Sequence, residues 1–110
     1  MPSQRIMRVT VRGRFSELSA HASEYLRSNQ DQHDVSRAEY TADGTLTYDR
    51  VIDFFSMRYE IRMGEDDPDE LAGARALGEA ELFLRTMGFG YRDLKTVVMD
   101  MADVWGVRAG

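Results

Sequence analysis

The chain has no cysteine, which excludes disulfide staples and thiolate metal sites. Histidine occurs only at positions 21 and 33. The two fall in different predicted elements, and no carboxylate–histidine spacing accompanies them, so neither a metal nor another cofactor is expected. Proline is confined to positions 2 and 68, and no low-complexity tract or linker divides the chain. No apolar run reaches membrane-spanning length, and no signal-peptide pattern is present. The expectation is a soluble cytoplasmic protein without a membrane partner. Positive charge is also short: 14 Lys and Arg stand against 19 Asp and Glu, a formal net charge of -5. General nucleic-acid binding needs a basic surface, so nucleic acid is not an expected partner.

What is present fits one domain of modest core, over residues 1–104, with a tail at 105–110. Residues 34–64 organise it. Asp43-Gly44 suits a two-residue type I′ turn, because both central positions need positive φ. The Thr- and Tyr-rich segments 38–41 and 45–48 flank it, so a hairpin is predicted, its first strand running from Val35 to Thr41. Asp49-Arg50 interrupts the pattern. Alternation then resumes over 54–63: Phe55, Met57, Tyr59, Ile61 and Met63 face one way, and Phe54, Ser56, Arg58, Glu60 and Arg62 the other.

The flanks complete the pattern. Residues 5–15 alternate Met7, Val9 and Val11 with Arg8, Thr10 and Arg12, a first strand. Ser16 is the predicted cap of a helix running to about residue 29, with Glu17 in its first turn. Asp67 is the predicted cap of a second helix, with Pro68 at its first position and Glu70 completing a capping box. Gly73, Ala76 and Ala80 keep that helix close to a sheet, and Gly88 ends it. Residues 91–101 form a last strand, with Val97, Met99 and Met101 alternating with Thr96, Val98 and Asp100. Trp105 in the tail is expected to pack against something. The order β-α-β-β-α-β defines an α+β, ferredoxin-like sandwich: an antiparallel sheet of four to five strands with two helices on one face.

That fold leaves one sheet face uncovered, carrying Arg8, Thr10, Arg12, Ser56, Arg58, Glu60 and Arg62, with Phe54 near one end. Three readings are open. The face is solvated and laced with Arg–Glu pairs; or two copies pack these faces together as an isologous dimer; or the face binds an anionic or phenolic ligand with Arg58 as fixed donor. RNA-recognition sheets carry aromatics at the central outward positions, whereas here Ser56, Arg58 and Glu60 stand there. The candidate catalytic residues are Asp49 as general base, Arg58 as anion stabiliser, Tyr48 beside them, and His33 as a base oriented by Asp34. Ordinary turn chemistry at Asp49-Arg50 and at His33-Asp34 is the competing explanation.

The stretches Met7-Arg8-Val9-Thr10-Val11-Arg12-Gly13, His33-Asp34-Val35, Gly44-Thr45-Leu46-Thr47-Tyr48-Asp49, Phe55 with Arg58, and Gly90-Tyr91-Arg92-Asp93-Leu94 carry a resemblance. The chain resembles a family of small uncharacterised proteins from high-GC, actinobacterial soil bacteria. The resemblance spans nearly the whole chain and brings no established activity or site residue with it. In architecture the chain is similar to dimeric α+β-barrel proteins, including small cofactor-independent monooxygenases and aromatic polyketide cyclases. That likeness implies a homodimer and an aromatic or polyketide-type ligand in secondary metabolism. It leaves an enzyme or accessory protein and a non-enzymatic binding or regulatory module as alternatives.

Overall fold

The computed structural model describes residues 4–105. The elements run β1 (Gln4–Phe15), α1 (Ala20–Ser28), β2 (Thr45–Tyr48), β3 (Phe54–Gly64), α2 (Asp69–Met87), β4 (Tyr91–Asp100) and α3 (Met101–Trp105), with two short 3-10 turns at Gln30–His33 and Val35–Arg37. The fold is mixed α+β, with one antiparallel four-stranded sheet in the order β2-β3-β1-β4.

Period-two alternation decides which side of the sheet is covered. Met7, Val9, Val11 and Phe15 of β1 are buried with Phe55, Met57, Tyr59 and Met63 of β3 and with Leu46 and Tyr48 of β2. Ala22 and Leu26 of α1, and Ala72, Ala76, Ala80 and Leu84 of α2, close over them. Small residues let α2 approach closely: a Cβ at Gly73 would lie 3.2 Å from Val98 Cγ2. Gly88 ends α2 in the left-handed conformation at φ +73, as its sequence position predicts.

Several local expectations are corrected. The predicted strand at 35–41 is absent. Asp34 instead caps the Val35–Arg37 turn through Ser36 N (2.9 Å), and Thr41 makes only an isolated parallel bridge to Tyr59. The sheet therefore has four strands. The turn at 41–44 closes by Gly44 N to Thr41 O (3.3 Å), and only Gly44 there has positive φ (+86). A type I′ geometry is thus excluded. Gly44 is needed twice over, since a Cβ there would also meet the Tyr59 ring at 2.3 Å.

Helix starts shift as well. Ser16 N donates to Gly90 O (2.8 Å), and Glu17 turns the chain at φ +52. The cap of α1 is therefore Ser19, whose Oγ accepts from Ala22 N (3.0 Å). Asp67 ties back to Gly64 N (2.8 Å), leaving Pro68 as the cap position of α2.

The last strand ends at Asp100, and residues 101–105 turn into α3. Met101 is accordingly buried, while Val97 and Met99 stand 51% and 44% exposed on the other side. The expectations for residues 1–3 and 106–110, and for the packing of Trp105, lie outside the described residues and side chains.

Candidate functional site

The uncovered face is built from the alternate positions of all four strands. β1 contributes Arg8, Thr10, Arg12 and Arg14, and β3 contributes Phe54, Ser56, Arg58, Glu60 and Arg62. The register adds Thr45 opposite Arg58 and Thr47 opposite Ser56 from β2. From β4 it adds Lys95 opposite Arg12, Val97 opposite Thr10 and Met99 opposite Arg8.

Some of these charges answer one another. Arg14 holds Asp53 with two hydrogen bonds (3.0 and 2.9 Å), and its guanidinium lies over the Phe54 ring, 4.8 Å from the centroid. That Arg14 pair keeps the Asp53 carboxyl below the usual carboxylate range. Arg8 lies 3.6 Å from Glu60 and beneath the Tyr40 ring (5.1 Å). The Tyr40 hydroxyl bonds Thr10 Oγ1 (3.1 Å), which helps bury Thr10; Thr47 is the other buried threonine on this face. By contrast, among the described residues no carboxylate lies within ion-pair distance of Arg12, Arg58, Arg62 or Lys95.

Phe54 is 55% exposed and stands between two concavities. One, of about 410 Å³, is lined by Thr47, Tyr48, Asp49, Phe54, Ser56 and Arg58 among others. The other, of about 570 Å³, is lined by Arg12, Arg14, Phe54, Ser56, Asp93 and Lys95 among others.

Of the four candidate residues, Arg58 and Asp49 meet in the first cavity. Arg58 Nη1 is held by Thr47 Oγ1 (3.1 Å). Asp49 accepts from Asp53 N (2.8 Å) and Phe54 N (3.4 Å), so its carboxylate closes the loop between β2 and β3. Tyr48 contributes to the cavity wall, but its hydroxyl points into the core and donates to Leu26 O (2.5 Å). Burial pushes its pKa up to about 12. His33 is not on the cavity. Its Nδ1 bonds Leu46 O (3.0 Å), and its ring stacks on Tyr48 (5.4 Å). There it covers the outer edge of β2, a position that blunts unwanted strand pairing.

Sequence reasoning missed Lys95, Tyr40 and the Arg14–Asp53 clamp. The phase of β4 was the available signal for Lys95. Once Val98 is set inward against Val9, positions 95, 97 and 99 fall on the open face. Among the described residues no group of three His, Asp or Glu is placed to hold a metal ion, and no helix is long and apolar enough to cross a membrane.

Fold and face together define a small α+β domain with a cation-rich open sheet surface around one exposed Phe. The chain belongs to the family of unknown function DUF6204, whose model matches residues 1–108. No curated protein and no solved structure matches it.

Proposed function

We propose that the open face binds a small anionic aromatic ligand, of the aromatic or polyketide type expected in secondary metabolism. One observation carries this reading. Exposed Phe54 separates two cavities whose walls hold Arg58 on one side and Arg12 and Lys95 on the other. A planar ring gains dispersion and stacking contact on Phe54. An anionic substituent gains a guanidinium already oriented by Thr47.

The arrangement favours binding over turnover. Both Asp49 oxygens serve the loop, the Tyr48 hydroxyl is spent in the core, and His33 faces the β2 edge. A cofactor-independent enzyme, cyclase- or monooxygenase-like, would need Asp49 released from its backbone donors before it could act as a base.

The ferredoxin-like assignment is part of the proposal. It is supported by the β-α-β-β-α-β order through Asp100 and by β1 and β3 lying at the centre of the sheet. Calorimetric titration with hydroxylated benzoates and naphthoates tests the binding reading. Phe54→Ala and Arg58→Gln should each weaken binding about tenfold, or about 1.4 kcal/mol. Absence of saturable binding, or affinities unchanged in both variants, would end it.

A homodimer is the second reading, and exposed Val97 and Met99 favour it by adding apolar area to the same face. Face-to-face packing would also have to supply carboxylates to Arg12, Arg58 and Lys95. Light scattering decides: a dimer dissociated by Val97→Asp supports it, and a wild-type monomer removes it.

A further inference from the structure

We propose that Arg12 and Lys95 form a phosphate-binding site, and that the ligand class is an aryl phosphate monoester whose ring rests on Phe54. The ring part rests on the reading of the open face given above. The anion part stands on charge and register alone.

The register places Lys95 directly opposite Arg12, Arg12 directly opposite Ser56, and Ser56 directly opposite Thr47. This row crosses all four strands on the open face. At roughly 4.8 Å per strand it spans about 14 Å. Every member is a hydrogen-bond donor, and none is a carboxylate. Directly opposed like charges destabilise a strand pair, yet the chain's single lysine stands opposite an arginine. Two other rows of the face carry paired cations, Arg8 with Glu60 and Arg14 with Asp53, while the row between Arg8 and Arg12 holds Arg58. The Arg12–Lys95 row has no counter-ion among the described residues.

The row also borders a built concavity. Between the pairs Arg12–Lys95 and Arg14–Arg92, β4 carries an extra residue relative to β1, and Asp93 takes φ +58 there. Gly13, lacking a side chain, admits Leu94 and Phe55 beneath; a Cβ would come within 2.6 Å of one and 2.7 Å of the other. The cavity of about 570 Å³ opens over this bulge. Asp93 is the one carboxylate in its lining, and that group lies 4.0 Å from Arg92 Nε.

Two opposed cations match a group of two charges better than a carboxylate of one. A phosphate monoester carries about -1.5 to -2 near neutral pH and three acceptor oxygens. Phe54 and Ser56 are two residues apart on one strand face, roughly 6.7 Å. A ring on Phe54 and a phosphate on the Arg12–Lys95 row are therefore one short linker apart.

The single lysine makes the test direct. In protein labelled with 13C-lysine, the side-chain signals report Lys95 alone. Titration with inorganic phosphate should shift the Lys95 Cε signal saturably, at constant ionic strength. Arg12→Gln should weaken that response about tenfold. 2-Naphthyl phosphate should bind more tightly than phosphate, and Phe54→Ala should erase that advantage without changing the affinity for phosphate itself. A non-saturating Lys95 response, or one indifferent to Arg12→Gln, overturns the anion site even if aromatic carboxylates still bind through Phe54 and Arg58. Equal affinity for phosphate and naphthyl phosphate overturns the ring assignment and leaves the anion site standing.

Discussion

Replacing Tyr48 by Phe separates a structural role from a chemical one at a residue that sequence alone nominates for chemistry. The hydroxyl donates to the Leu26 carbonyl, in the last turn of α1, where helical carbonyls lack partners within the helix. Leu26 is fully buried, so water is not placed to replace the donor. A typical net hydrogen bond contributes about 1 kcal/mol, and an orphaned buried acceptor costs about 1–3 kcal/mol. The ring keeps its contacts with Phe15 and His33, so no cavity adds to the loss. The expected destabilisation is about 1–2 kcal/mol, or roughly 4–8 °C in Tm for a domain of this size. Urea unfolding followed by circular dichroism measures it. Tyr25→Phe is the control: Tyr25 is 42% exposed, and its change should stay within about 0.5 kcal/mol. The raised Tyr48 pKa adds a pH signature. A phenol whose folded pKa of about 12 exceeds the unfolded value of about 10 stabilises below pH 10 or so, and that contribution is lost as pH rises toward 12. Tyr48→Phe should diminish this alkaline loss, while buried Tyr59, also raised to about 12, retains its share. If Tyr48→Phe is as stable as wild type yet loses ligand affinity or activity, the structural account is wrong and the hydroxyl belongs to the site.

The other predictions concern glycines and charges. Gly90→Ala would set a Cβ 2.0 Å from the Ser16 carbonyl oxygen, a backbone atom fixed by the return bond from Ser16 N; a loss of about 3 kcal/mol is expected. Gly78→Ala in α2 meets nothing within 4 Å and should gain about 0.5–1 kcal/mol, so the same urea assay must move these two variants in opposite directions. Arg5 joins the buried Asp100 (2.8 Å), Asp69 and the Asp67 carbonyl (2.8 Å); Arg5→Gln should cost about 2 kcal/mol, discounted from a fully buried pair because Arg5 is partly exposed, and a loss under about 0.5 kcal/mol would refute this. Asp53 is held below the usual range by Arg14, so that pair stabilises above the unfolded carboxylate pKa of about 3.9 and its contribution disappears as pH falls through the lower folded value; Arg14→Gln should flatten the acid limb of Tm against pH. Arg12→Gln should stabilise the ligand-free protein by a few tenths of a kcal/mol at low salt, with the gain shrinking at high ionic strength.

The strands and α2 were legible because their signals are local and repeated. Alternation in β1 and β3 fixes a buried face over many residues, and a one-residue slip would bury Arg58 and Glu60. The failures have two causes: a competing hydrogen bond close by in the chain, or a group distant in sequence. Thr and Tyr before Gly44 favour a strand only if an edge accepts one. Asp34 captured the Ser36 amide instead. Ser16 and Ser19 are equally good caps by identity, and Gly90, far along the chain, chooses between them. At the site, Arg58 on the open face followed from alternation alone. Lys95 opposite Arg12 required the β1–β4 register, and the bulge at Asp93 has no local signature. The Tyr48 hydroxyl could not be assigned until Leu26 was known to lie above it.

The charge distribution itself argues for a use of the open face. Carboxylates outnumber Lys and Arg in the chain, 19 to 14. Yet carboxylates sit in the first turn of α2 and along its exposed side, as Asp69, Glu70 and Glu79, while Arg12, Arg58 and Lys95 share the opposite surface of the sheet with no carboxylate at ion-pair distance among the described residues. Thr or Val at positions 12 and 95 would suit a strand better and would remove the like-charge opposition. Local rules broken at no evident structural gain cluster where a protein trades stability for function. A cation row kept at a cost in the free protein is repaid only when an anion occupies it. Such an anion would raise Tm in proportion to RT ln(1 + [L]/Kd), and neutralising Arg12 would remove both the cost and the repayment together.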